Sequence, residues 1–216
     1  MRLVLATAAV LALAACNPAS ETAPVKAPAE AAAHWTYADQ ANWGGECPVG
    51  AAQSPVALTA ADAVDLPDLT TAYPAGAGTF INNGHTLQFT PDVAGRATIG
   101  TDGYDLVQFH FHAPSEHTLN GKAYPLEIHF VNRNAAGALA VVGVFVTEGQ
   151  ANPALAALLT ALPATTGDSG MTRPGVYPVL LLPEDRHYFA YSGLGRPDRG
   201  PVGGAGDVKP LGAAAA

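Results

Sequence analysis

The 216-residue chain contains only two cysteines, two tryptophans and two methionines, and its ten Lys and Arg residues are outnumbered by 18 Asp and Glu. Two cysteines allow at most one disulfide within the chain. A formal net charge of -8 with no cluster of Lys or Arg excludes a phosphate-binding surface, and nucleic acid with it. There is no internal repeat at solenoid periods. About half of the residues are apolar, enough for one sizeable core and too little chain for a second domain.

The first residues read as an address. Arg2 precedes the apolar run "LVLATAAVLALAA" (3–15), too short to span a bilayer as a helix. Because the run ends in "LAAC", it resembles a bacterial lipoprotein signal: residues 1–15 would be removed and Cys16 lipidated, tying the protein to a membrane. Asn17 after that cysteine implies sorting to the outer membrane on the periplasmic side of the cell envelope. From 16 to 33 the chain is rich in Ala and Pro and has no aromatic residue, the composition of a tether. The folded domain is expected over 34–193, with Trp35 and Trp43 as core anchors.

Within that domain, strand signals dominate. "GHTLQFT", "RATIG", "LVQFHFH", "PLEIHFVN" and "LAVVGVFV" are short apolar or alternating runs bounded by Gly, Asn, Asp or Pro. "NPALAALLTAL" (152–162) predicts a helix, with an Asn cap, Pro in the first turn and apolar spacing of three and four. The fold class is therefore mainly β.

The most informative stretch is "QFHFHAPSEH" (108–117). On a strand, residues i and i+2 share a face, so His110 and His112 project together while Phe109 and Phe111 face the other way. In "PLEIHFVN", His129 shares a face with Glu127 and Val131. If the two strands are neighbours, three imidazoles converge. Zinc suits them, because catalytic zinc sites keep three protein ligands and leave a fourth position for water. Gln108 and Glu127, each two residues before a histidine, stand where they could accept imidazole N–H groups and fix the tautomers. His34, His117 and His187 lie at element boundaries or beside aromatics and are read as surface or packing residues.

At these residues the sequence resembles the α-class carbonic anhydrases, specifically their bacterial periplasmic branch. "HWTY", "QSPV", "NNGHT", "QFHFHAPSEHTLNGKAYPLEIHFV", "LAVVGVF", "NPAL" and "LLPEDRHYFAYSG" follow in the family's order and approximate spacing. The resemblance implies a large, twisted, mostly antiparallel central sheet with short peripheral helices, and zinc-dependent reversible hydration of carbon dioxide to bicarbonate and a proton. It makes His110, His112 and His129 the zinc ligands, with Gln108 and Glu127 behind them. His85 would be the proton shuttle, and Glu116 would orient the hydroxyl that positions the nucleophile. Val131 and Val141 would line the carbon dioxide pocket, and Tyr37, Asn83 and Gln88 the water network.

The resemblance stops after Gly193. The family continues with Ser-Leu-Thr-Thr-Pro-Pro and further strands, whereas ten of the 24 residues from Gly193 to Ala216 are Gly or Pro and none is aromatic. Residues 194–216 are therefore expected to be a disordered tail. With Cys16 lipidated, Cys47 is an odd thiol; in the family branch its partner follows the missing motif. A frameshift near Leu194 would explain both losses. The chain is then either the zinc enzyme that its motifs imply or a catalytically impaired, zinc-binding envelope lipoprotein.

Overall fold

The computed structural model describes residues 54–59, 65–160, 162–167, 169–185, 187–193 and 206–211. Cys16, Trp35, Tyr37, Trp43 and Cys47 lie outside the described residues. Among the described residues, twelve strands run as β1 (Ala57–Leu58), β2 (Leu69–Ala72), β3 (Gly76–Asn82), β4 (Leu87–Pro91), β5 (Arg96–Ile99), β6 (Asp102–His112), β7 (Thr118–Leu119), β8 (Leu126–Arg133), β9 (Leu139–Val146), β10 (Ser169–Val176), β11 (Tyr191–Gly193) and β12 (Gly206–Leu211). The helix α1 spans Pro153–Leu159, and a 3-10 turn spans Pro178–Leu181.

Ten strands make one sheet in the order β10-β3-β4-β6-β8-β9-β12-β11, with β5 joined to both β6 and β2. All its pairings are antiparallel except β12 with β9. The small second sheet pairs β1 with β7 in parallel. The architecture is thus the mainly β, mostly antiparallel sheet with few helices expected from the sequence.

Alternation on neighbouring strands turns into rows across the sheet. One row runs Phe80, Phe89, Phe109, Phe130 and Val142, each opposite the next. These five side chains are essentially fully buried. Their rings meet at 5.7 Å (Phe80 to Phe89), 5.1 Å (Phe89 to Phe109) and 5.4 Å (Phe109 to Phe130), within the range of favourable tilted aromatic pairs. Tyr73 stacks on Phe130 at 5.5 Å, and its hydroxyl donates to Asn132 Oδ1 at 2.8 Å. Asn132 Nδ2 donates in turn to the carbonyls of Phe130 and Ala140, so this polar intrusion into the core is satisfied.

The helix begins where its cap predicts. Asn152 Oδ1 accepts the N–H groups of Ala154 and Leu155, and Pro153 occupies the first turn. Leu158 enters the core and Ala154 and Leu155 pack beside it. The helix ends at Leu159 rather than Leu162, where Thr160 Oγ1 donates to the Ala157 carbonyl.

Seven of these strands (β1, β2, β3, β7, β10, β11 and β12) lie outside the five runs named as strand signals, and β10 and β12 depart furthest from a strand-like composition. In β10, Pro174 and two register irregularities are tolerated because, among the described residues, β3 is its one sheet partner. The tail expected to be disordered supplies β12, which lies between β9 and β11. Its composition gives no strand signal; the driving feature is the flank of β9, whose backbone groups need partners. Pro210 pairs with Gly143 beyond the last residue matched to β11, so its missing N–H falls where only one neighbour must be served.

Truncating the centre of the aromatic row should be costly. Phe109→Ala is expected to destabilise the fold by about 3–5 kcal/mol, whereas the exposed Val93→Ala should stay within about 0.5 kcal/mol. Urea unfolding followed by circular dichroism measures both, and equal midpoints would contradict the assignment of the core.

Candidate metal centre

The row beside the phenylalanines carries the chemistry. Gln88 on β4 faces His110 on β6, His110 faces His129 on β8, and His129 faces Gly143 on β9. His112 follows on the same face of β6, opposite Glu127. The two sequence-predicted strands are therefore neighbours, and one ligand nitrogen from each of His110, His112 and His129 lies within 4.8 Å of the others. All three histidines are buried, with ring centroids 4.7–5.2 Å apart.

Their orientation is set from behind. Gln108 Oε1 stands 2.8 Å from His110 Nδ1; an amide oxygen accepts, so Nδ1 carries the proton and Nε2 the lone pair. Glu127 Oε1 stands 2.9 Å from His129 Nε2, which makes Nδ1 the ligand atom of that ring. Gln108 and Glu127 thus stand beside His110 and His129, the rings they precede in sequence.

Glu127 is fully buried. Burial pushes its carboxyl up, but the charge His129 carries when protonated and hydrogen bonds from His117 and His129 outweigh that and hold it well below the ordinary carboxylate range. Its second oxygen accepts the backbone N–H groups of Glu116 at 2.9 Å and His117 at 3.0 Å. These two bonds fold the segment after β6 back over the histidines. Ser115 pins the same segment, donating to the His117 carbonyl and accepting the Tyr124 N–H.

Glu116 arrives as a result beside the ligand atoms: its Oε2 is 3.2 Å from His112 Nε2 and 3.8 Å from His129 Nδ1. A carboxylate there adds negative charge beside three imidazoles that could hold a metal ion.

A cleft of about 200 Å³ opens on His110 and is lined by Asn83, Thr86, Gln88, Gln108 and Val131, with Arg133 and Leu139 also on its wall. Asn83 and Gln88 therefore lie on the same cleft as His110. Val141 packs on Val131 and Leu139 to form an apolar wall, against which Tyr191 rests. His85 sits in the same β3–β4 turn but outside the cleft lining. Asn83 Oδ1 holds that turn by accepting the N–H groups of His85 and Thr86, and Gly84 supplies the positive φ of 87° that it needs. Tyr37 and Cys16 lie outside the described residues.

Sequence reasoning missed His117. It is 1% exposed, with Nδ1 2.6 Å from Glu127 Oε1 and Nε2 2.5 Å from the Tyr191 hydroxyl. Its position between Glu116 and a strand reads as surface or packing; the available signal was Glu127, a carboxylate placed to accept imidazole N–H groups, which needs several donors when buried. Thr86 was missed as well, and its hydroxyl ties the turn to the backbone of Phe111. His187 is exposed and paired with Asp185, consistent with its exclusion as a ligand.

The family model described as eukaryotic-type carbonic anhydrase matches residues 32–197. A carbonic anhydrase of Pectobacterium carotovorum is 37% identical over 192 residues, covering 85% of this chain and 75% of that protein. One from Klebsiella pneumoniae is 38% identical over 173 residues, covering 75% and 70%. Among solved structures, the Photobacterium profundum alpha-carbonic anhydrase matches with a TM-score of 0.74 at 31% identity, over 82% of this chain and 84% of that one.

The geometry orders the cost of losing each group. In metal-depleted protein titrated with zinc against a chelator, His129→Ala should abolish one-to-one binding, whereas Gln108→Ala should weaken it about tenfold. Equal effects would contradict the division between ligand and orienting residue.

Proposed function

Because the chain belongs to the α-carbonic anhydrase family, we propose that it interconverts carbon dioxide and bicarbonate at a zinc ion held by His110, His112 and His129. The observation that carries this reading is the convergence of three buried imidazoles beside an apolar wall. The donor set fits the ion: zinc takes neutral imidazole nitrogens, and three protein ligands leave one position open. When bound, zinc supplies a nucleophile near neutral pH by acidifying water.

The chain's own residues do the rest. Gln108 and Glu127 hold two of the rings in the tautomer and direction that a cation needs. Val131, Val141 and Leu139 present a surface suited to carbon dioxide, which has no net dipole and gains little from polar walls. Glu116 offers a buried carboxylate at the ligand face, where it can accept a hydrogen bond and orient its donor. His85, held in its turn by Asn83, is the residue of this chain proposed to pass a proton between the cleft and buffer. Asn83 and Gln88 supply polar anchors for water along the cleft. Lipidation at Cys16 would place this activity on the periplasmic face of the outer membrane.

One observation favours a second reading, a zinc-binding envelope lipoprotein of low turnover. Residues 194–216 contain no threonine or serine, so no hydroxyl from that segment can stand between Glu116 and the nucleophile.

Both readings meet in one assay. Stopped-flow hydration of carbon dioxide by the full chain should exceed that of His110→Ala and fall roughly 100-fold or more below a version carrying Ser-Leu-Thr-Thr-Pro-Pro and the strands that follow, because each positioned hydrogen-bonding group is worth about that factor. A rate no higher than that of His110→Ala would overturn the enzymatic reading.

A further inference from the structure

The hydrogen bonds that orient His129 do not end at Glu127. A carboxylate can only accept, so His117 Nδ1, at 2.6 Å, donates to Glu127 Oε1, and His129 Nε2 stands in ion-pair contact with the same oxygen at 2.9 Å. A neutral His117 that donates at Nδ1 must accept at Nε2, and the group there is the Tyr191 hydroxyl at 2.5 Å. Having given its proton to His117, the Tyr191 oxygen accepts from Ser54 Oγ at 2.8 Å. With His117 neutral, the directions from Ser54 through Tyr191 and His117 to Glu127 all follow from the one group in the series that cannot donate.

The outer end of this series is held by the C-terminal strand. Tyr191 is the first residue of β11, and β12 is the sheet partner of β11 among the described residues. Three residue pairs make that contact, Tyr191 with Val208, Ser192 with Asp207 and Gly193 with Gly206. Val208 also pairs with Val141 on β9, so β12 spaces Tyr191 from the strand that flanks β8, where His129 resides. The Tyr191 ring packs on both the Val131–Leu139–Val141 cluster and the Leu58–Tyr124–Phe145 cluster. Displacing β12 therefore removes the backbone partner of the residue that fixes the His117 proton.

We propose that His117 and Tyr191 are positioning residues through which the docking of β12 sets the metal affinity of the His110, His112 and His129 centre. The inference rests on the reading of that cluster as a zinc site. It assigns the C-terminal segment a role at this centre: an undocked β12 loosens the Tyr191 to His117 bond, Glu127 loses a donor, and the imidazole of His129 is less firmly aimed.

The test measures zinc affinity by chelator competition on the full chain, together with urea midpoints of the metal-depleted forms. Tyr191→Phe keeps the ring and removes the hydroxyl, and Val208→Pro breaks the β12 ladder at the residue opposite Tyr191. Each should weaken zinc binding about tenfold, the lower end for groups that orient a ligand. The double variant should be no weaker than either single one, because both break the same link. In cobalt-substituted protein both should shift the visible absorption band in the same direction. Ser54→Ala should give a smaller loss of the same kind and, with Tyr191→Phe, decides the matter if Val208→Pro does not fold. Unchanged zinc affinity in Tyr191→Phe alongside a lowered metal-free midpoint would overturn the proposal, leaving a purely structural hydroxyl. So would losses that multiply in the double variant. A wild-type chain that takes up no zinc would instead overturn the zinc reading itself.

Discussion

The register between β6 and β8, which sets His110 opposite His129, is the constraint on which the rest of the site depends. The strand period of two gives each of these strands an apolar face and a ligand face. Phe109, Phe111, Ile128 and Phe130 fill the core on one side, and His110, His112, Glu127 and His129 stand on the other. A slip of one residue in either strand would drive imidazoles into the aromatic core and phenylalanines into the cleft. The burial that stabilises the sheet is thus the same interaction that assembles the centre, and neither strand could hold it alone.

Glu127 is the second point at which fold and chemistry meet. A fully buried carboxylate is costly unless its charge is paired and its oxygens are hydrogen-bonded. Here two backbone N–H groups and two imidazoles meet those requirements. In doing so they bind β8 to the segment that carries Glu116 and, through His117 and Tyr191, to β11. The carboxylate therefore orients a ligand ring, anchors a connecting segment and stores negative charge beneath a cation site.

Much of this was legible because alternation in an apolar run is a local signal. "LVQFHFH", "PLEIHFVN" and "LAVVGVFV" became β6, β8 and β9, and the Asn-Pro start of α1 fell where its cap predicts. What alternation cannot reveal is pairing imposed by a neighbour. β12 arises from a Gly- and Pro-rich tail because β9 offers a flank for pairing, and β10 holds a proline because, among the described strands, it stands last in the order. His117 escaped notice for a related reason: its burial follows from the return of its segment over Glu127, a long-range contact that adjacency to Glu116 does not disclose. Tyr191 likewise reads as an ordinary strand residue until the hydrogen bonds on both sides of it are known.

The central claim is that three imidazoles, from His110, His112 and His129, hold the metal. X-ray absorption at the zinc edge of the full chain tests it most directly. The account predicts a first shell of light atoms only, at about 2.0–2.1 Å, with the outer-shell scattering of three imidazole rings. A sulfur shell at about 2.3 Å, or fewer than three imidazoles, would contradict it.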